Sequence, residues 1–259
     1  MEFVTLNSGY KMPLEGFGVF QIPDLAQCEE VTYNAIQVGY RLIDTAKAYS
    51  NEEAVGKAIA RAISENLTTR EELFITTKVW VQDMIDEKTA YSAIETSLKK
   101  LNLPYVDLIL LHQPAQDYFA AYRGIEKACK DGLTKSIGVA NFYPEVLTNF
   151  CETVKTIPAV NQVELHPFFV QADALKNMQN YGVVAQAWGP LAEGKHGIFT
   201  DSELVEIGKR YNKTAAQVAL RWNVQRGVSI IPKSVHVERM EQNLNIWDFS
   251  LTDPFIHII

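Results

Sequence analysis

Cysteine is scarce in this 259-residue sequence: Cys28, Cys129 and Cys151 are odd in number, far apart and never in a CxxC pair. That excludes a disulfide framework and a cysteine-built zinc site, and three reduced thiols suit a cytoplasmic protein. No HExxH or comparable spacing of His, Asp and Glu occurs, so no metal is expected. No apolar run approaches the roughly 18 residues of a membrane span. The start, Met1-Glu2-Phe3-Val4-Thr5, has neither the charged nor the apolar region of a signal peptide. Basic charge is in the minority, with 24 Lys and Arg against 31 Asp and Glu and a net charge of −7. A general nucleic-acid binder, which needs a basic stripe against phosphates, is thereby disfavoured. Any phosphate contact must come from a local cluster. Low-complexity tracts, charge blocks and linkers are missing too, so the chain reads as one domain over residues 1–259. Its 47% hydrophobic and 21% charged residues are ordinary for a folded soluble protein.

What is present is a repeated alternation of short apolar runs and longer amphipathic stretches. Strands are expected at Phe17–Phe20, Tyr40–Asp44, Leu73–Val79, Val106–Leu111, Ser136–Val139, Val160–Glu164, Val183–Ala187 and Val228–Ile231. The matching helices fall at Asp24–Val38, Asn51–Glu65, Thr89–Leu101, Tyr118–Lys130, Pro144–Thr153, Ala172–Asn180, Asp201–Tyr211 with Thr214–Gln225, and Val237–Asn245. Eight such units imply an α/β fold with a parallel sheet closed as a (β/α)₈ TIM barrel. An open dinucleotide-binding sheet would carry GxGxxG after its first strand, and Gly16-Phe17-Gly18 does not match it. Ahead of the first unit, Phe3–Leu6 and Lys11–Leu14 flank Asn7-Ser8-Gly9-Tyr10, a β-hairpin that could plug the N-terminal mouth.

In such a barrel, functional groups gather at the C-terminal ends of strands. Asp44, Lys78 and His112 lie there, each 34 residues from the next, which places them at one height on three successive strands; Tyr49 can fold back from the loop after Asp44. Singly, each has a dull explanation: a cap, a solvated strand end, a satisfied core histidine. Together they form a plausible acid. A tyrosine pKa near 10 makes a poor donor, and an adjacent ammonium such as Lys78, held by Asp44, would favour the phenolate and lower it. His112 can donate a hydrogen bond to a carbonyl oxygen. Such a site lacks only a hydride, which no side chain supplies, so a nicotinamide or flavin is required.

The segments Gly39–Glu52, Thr77–Trp80, Leu110–His112, Ser136–Phe142, Asn161–Pro167 and Ile231–Val235 together resemble the aldo-keto reductases along nearly the whole chain, and the wording is similar to bacterial members of the 2,5-diketogluconate reductase type. The resemblance implies a barrel that binds NADPH/NADP+ without a Rossmann domain, acts on a small carbonyl substrate and works as a monomer. It makes Asp44, Tyr49, Lys78 and His112 the catalytic tetrad, with Tyr49 as general acid. It places Asn141 and Gln162 on the nicotinamide carboxamide and Trp188 stacked on the ring. Gly18, Val19 and Phe20 fall near the nicotinamide ribose and the pocket entrance, with Asp44, Gly189 and Leu191 also among the cofactor contacts. Lys233, Ser234, Val235, His236 and Arg239 correspond to the grip on the adenosine 2′-phosphate, with Gln242 and Asn243 near the adenine. Lysine as a point charge and arginine as a planar fork suit that phosphate. Phe20, Tyr49, Trp80 and His112 are the expected substrate wall; His166 is expected to be structural.

The chain departs from the family pattern at Ala140, Gly189 and His236, where serine, serine and threonine are common. These bear on cofactor affinity, and His236 could make it pH-sensitive. A short apolar ending, Asp253–Ile259, replaces the usual pocket-lining tail, which implies an open, weakly selective pocket or unfamiliar packing. Two alternatives remain at this point: a cofactor-binding regulatory or structural barrel with little turnover, and a Schiff-base enzyme using Lys78, which would need a depressed lysine pKa.

Overall fold

In the computed structural model, which describes residues 2–252, the apolar runs become strands and the amphipathic stretches become helices around them. The hairpin comes first, β1 (Phe3–Thr5) against β2 (Lys11–Pro13). The barrel then runs β3 (Phe17–Gly18), α1 (Leu25–Val38), β4 (Leu42–Asp44), α2 (Glu52–Ser64), β5 (Phe74–Val79), α3 (Glu87–Leu101), β6 (Val106–Leu111) and α4 (Tyr118–Lys130). It continues with β7 (Thr134–Ala140), α5 (Pro144–Thr153), β8 (Val160–Glu164), α6 (Ala172–Asn180), β9 (Val184–Trp188), α7 (Ser202–Tyr211), α8 (Ala215–Gln225), β10 (Ser229–Ile230) and α9 (Val237–Leu244). Strands β3 to β10 pair in sequence order, all parallel. The ring closes where Glu15 bridges Ile230: Ile230 N–H donates to Leu14 O and Gly16 N–H to Ile230 O, each at 2.8 Å. The barrel expected from the sequence is formed. Its first and last strands are two residues long, shorter than Phe17–Phe20 and Val228–Ile231, although hydrogen bonding runs on past them: Val19 N–H reaches Asp44 O at the end of β4, and Gly18 N–H reaches Pro232 O after β10.

The strand pleat separates two cores. Residues on the outer side, such as Ile43, Ile75 and Ile109, pack under the helices with Ile36, Ile59, Ile94 and Ile125. Residues on the inner side, Leu42, Phe74, Leu108 and Leu110, pack with Leu6 and Met12 of the hairpin, which therefore fills the floor of the barrel. Asn7 and Ser8 seal that floor with hydrogen bonds to Pro158 O (2.9 Å) and Ser136 Oγ (2.7 Å). Helix starts are set locally: Asp24, Asp86, Asp117 and Asp201 each accept a first-turn N–H, and Thr214 with Gln217 forms a capping box. Each such cap contributes about 1 kcal/mol.

Helices α2 and α3 cross at Gly56, where a Cβ would lie 2.4 Å from Leu101 O and within 3 Å of two more backbone atoms. Neither backbone can yield cheaply. Gly56→Ala is expected to cost about 1–3 kcal/mol through forced separation of the helices, despite a helix-propensity gain of about 1 kcal/mol. A thermal melt followed by circular dichroism checks this, and an unchanged or raised Tm refutes the close approach.

Candidate active site

The site is assembled from the C-terminal ends of β4, β5 and β6 and the loops beyond them. Asp44 ends β4, Lys78 lies one residue before the end of β5, and His112 follows β6 directly, its N–H continuing the ladder to Val79 O. The 34-residue spacing does not follow the pairing register of the strands. Asp44 is in register with Thr76 and Lys78 with Leu110, so each residue sits two positions further along than its neighbour's register partner. A step of two keeps all three side chains on the inner side of the pleat, which is why they still converge.

Tyr49 arrives on a single 3₁₀ turn, Lys47–Tyr49, closed by Ser50 in the left-handed region. Two links hold that turn. Lys47 pairs with Asp83 of a second 3₁₀ turn, Val81–Asp83, at 2.5 Å. Buried Asn51 accepts from Thr45 Oγ1 (2.9 Å) and donates to Val19 O (3.0 Å), joining the loop after β4 to that after β3.

Lys78 is fully buried and its Nζ donates to Asp44 Oδ1 (2.6 Å), Thr45 O (3.0 Å) and Tyr49 OH (3.2 Å). Three acceptors match the three donors of an ammonium. Burial alone would lower its pKa, but Asp44 and Tyr49 more than offset that and leave it raised. Lys78 is therefore held protonated, the opposite of what a Schiff-base lysine needs. Burial pushes the Tyr49 phenol up, with Asp44 adding to the rise, and Lys78 only partly opposes this. The lowered pKa expected from the ammonium is thus not found, because withdrawal from water is the larger effect. His112 stands edge-on to Tyr49 (ring centroids 5.7 Å) and Trp80 (4.8 Å), and Phe20 closes the aromatic wall 4.9 Å from Tyr49.

Burial and the nearby Lys78 charge lower the His112 pKa from 6.5 to about 3, so its ring is neutral. The unfolded chain takes up a proton that the native ring refuses. Its contribution to stability is therefore fully present above about pH 6.5 and is lost as pH falls toward about 3. His112→Gln is expected to flatten part of the decline in Tm between pH 7 and pH 4. Melts of both proteins across that range check it, and parallel curves would contradict a neutral His112.

The residues assigned to a cofactor fall into three groups. Asn141, held at positive φ after β7, donates to His112 O (3.1 Å) and accepts from Trp188 Nε1 (2.9 Å). Gln162 donates to Asp44 Oδ2 at 2.8 Å. These adjoin the tetrad. At the opposite end of the arrangement, Lys233, His236 and Arg239 are exposed at the start of α9, with Val235 half-buried and Ser234 Oγ accepting from His236 N–H. Gly18 ends β3, and Gly189 and Leu191 lie on the loop after β9, between the two. The Val19 side chain is inside the helix-side core, and Asn243 is buried and hydrogen-bonds Tyr40. Gln242 is exposed beside it. Among the described residues the His166 ring hydrogen-bonds nearby groups, Glu164 and Phe168 N–H. The ending Asp253–Ile259 lies outside the described residues.

Sequence reasoning missed Asn51, the Lys47–Asp83 link and the Gln186–Ser229 pair below Gln162. For Gln186 a signal existed, a lone amide in the apolar run Val184-Ala185-Gln186-Ala187. It also missed the bond from Gln21 Nε2 to Glu193 Oε1 (3.3 Å), which joins the loops after β3 and β9. No helix among the described residues is long and apolar enough to cross a membrane.

The profile of the aldo/keto reductase family matches residues 21–259. The methylglyoxal reductase DkgA of Escherichia coli is 41% identical over 254 residues, 96% of this chain and 88% of its own. A glyoxal reductase of Bacillus subtilis is 42% identical over 250 residues, again 96% and 88%. An aldo-keto reductase of Bombyx mori, crystallised in complex with NADP, superposes with a TM-score of 0.94 at 34% identity, covering 99% of this chain and 91% of that one.

Proposed function

Since the chain belongs to the aldo/keto reductase family, we propose that it reduces small aldehydes, ketones or keto sugars to alcohols with NADPH. One observation carries the reading: a fully buried ammonium, Lys78, that touches both Asp44 and Tyr49 beside a neutral His112. The residues present suit the cofactor. Lys233 and Arg239 are exposed cations with no ion pair among the described residues, a donor set for a 2′-phosphate, and the Trp188 indole, held by its N–H to Asn141, offers an aromatic face at the other end. NADPH, when bound, supplies the hydride.

The chain's own residues supply the proton and the positioning. The neutral His112 ring hydrogen-bonds and orients the substrate carbonyl. Tyr49, kept protonated by burial, gives its phenolic proton to that oxygen, and the phenolate left behind is met by Lys78 at 3.2 Å. Asp44 holds the ammonium in place. Phe20, Tyr49 and Trp80 keep water from the reacting carbonyl. Carbonyls as small as methylglyoxal and glyoxal, named for the two bacterial relatives, head the substrate class. Cytoplasmic location, supported by three free thiols, a monomeric state and one domain over residues 1–259 belong to the same reading.

The test follows absorbance of NADPH and NADH with methylglyoxal, glyoxal and a panel of ketones and keto sugars. Consumption of NADPH is expected, with kcat/KM at least about tenfold above that with NADH, one tenfold step being some 1.4 kcal/mol of phosphate binding. No consumption with any of these carbonyls sinks the proposal.

A further inference from the structure

Beneath the tetrad, the barrel interior carries a column of polar side chains with no packing reason to be there. Gln186 and Ser229 are wholly buried and Gln162 nearly so, in an interior that also holds Leu42, Leu108, Leu110 and Val160. Buried amides are costly unless every group is bonded, and here the bonds run in one direction. Asp44, ionised against Lys78, can only accept, so the Gln162 atom 2.8 Å from its Oδ2 must be the amide nitrogen. The same nitrogen lies 2.7 Å from Gln186, which must therefore present Oε1. Gln186 Nε2 is then left to donate to Ser229 Oγ (3.1 Å), and Ser229 donates to Pro13 O (3.3 Å) on the hairpin. The charge on Asp44 fixes the orientation of both amides, and the hairpin carbonyl anchors the far end.

We propose that Gln186 is a positioning residue: by accepting the second Gln162 N–H it locks that amide with both donors turned to Asp44 and Gln186, so that Gln162 meets the nicotinamide carboxamide with its oxygen. This rests on the NADPH reading above. Both protons of Gln162 Nε2 are spent inside the barrel, and Oε1 has no hydrogen bond among the described residues. A free amide could turn its NH₂ outward, losing Asp44 and offering the carboxamide amine a donor where it needs an acceptor.

The experiment titrates the whole protein with NADPH, following tryptophan fluorescence, and records a thermal melt for each variant. Gln186→Met, close in shape but without the acceptor, is expected to weaken NADPH binding about tenfold, the usual effect of losing one oriented bond. Gln186→Glu is expected to restore binding to within twofold, since a buried carboxyl stays protonated and offers the same acceptor and donor. A merely structural role predicts no such rescue. Should Gln186→Met fail to fold, Ser229→Ala, which frees Gln186 from below, is expected to weaken binding about threefold. Tight binding that the folded Gln186→Met or Ser229→Ala leaves within error of the unaltered protein overturns the proposal alone, as does a folded Gln186→Glu that fails to rescue. No NADPH binding by the unaltered protein overturns the cofactor reading and the proposal with it.

Discussion

Tyr49→Phe is expected to lower kcat about 10,000-fold, the upper end of what one positioned acid contributes, while NADPH affinity moves less than twofold. The phenylalanine ring keeps the aromatic contacts with Phe20 and His112 and removes only the oxygen that lies 3.2 Å from Lys78. Lys78 retains Asp44 and Thr45 O, so the site should stay folded. Steady-state kinetics beside a fluorescence titration separates the two effects, and a kcat within tenfold of the unaltered enzyme would rule out Tyr49 as the acid. The raised phenol pKa has a further consequence. Reduction needs the protonated phenol, so kcat should hold level through neutral pH and decline only on the alkaline side, as Tyr49 ionises.

Lys78→Met is expected to cost about 3–5 kcal/mol of folding stability as well as activity. The pair is buried on both sides, with side-chain exposures of 0% and 1%. Removing one member leaves Asp44 charged in a dry interior with the Gln162 N–H as its remaining side-chain partner. Breaking a buried pair costs far more than the pair itself is worth, so Asp44→Asn combined with Lys78→Met should regain much of the loss. Urea unfolding of the two single variants and the double variant closes the cycle. A single-variant loss below about 1 kcal/mol, or a double variant no more stable than Lys78→Met, would show that water reaches the pair.

How much of this was legible beforehand depended on whether a feature is local. The strand runs Leu73–Val79 and Val106–Leu111 announce themselves through β-branched and apolar residues, and the helices through their periodicity and caps. The 34-residue rhythm correctly singled out Asp44, Lys78 and His112 as facing one interior. It did not show the two-residue step from one to the next, because the pairing register is set by the whole barrel and by no single strand. The direction of the Tyr49 shift was also illegible: a neighbouring charge can be read from a motif, whereas burial depends on how Phe20, Trp80 and His112 close over the ring. The burial of Val19 and Asn243 shows the same limit, since neighbours far away in sequence draw both side chains inward.

The joint between β3 and β10 has a consequence for how the molecule is made. Its bonds link Leu14, Gly16 and Gly18 to Ile230 and Pro232, the longest separations anywhere in the ring, whereas the other seams join consecutive strands. The first strand therefore meets this partner only after the seven units between them have been made, and until then its edge is unpaired on that side. Closure of the ring thus rests on its most non-local contacts, the kind that are slowest to form in folding.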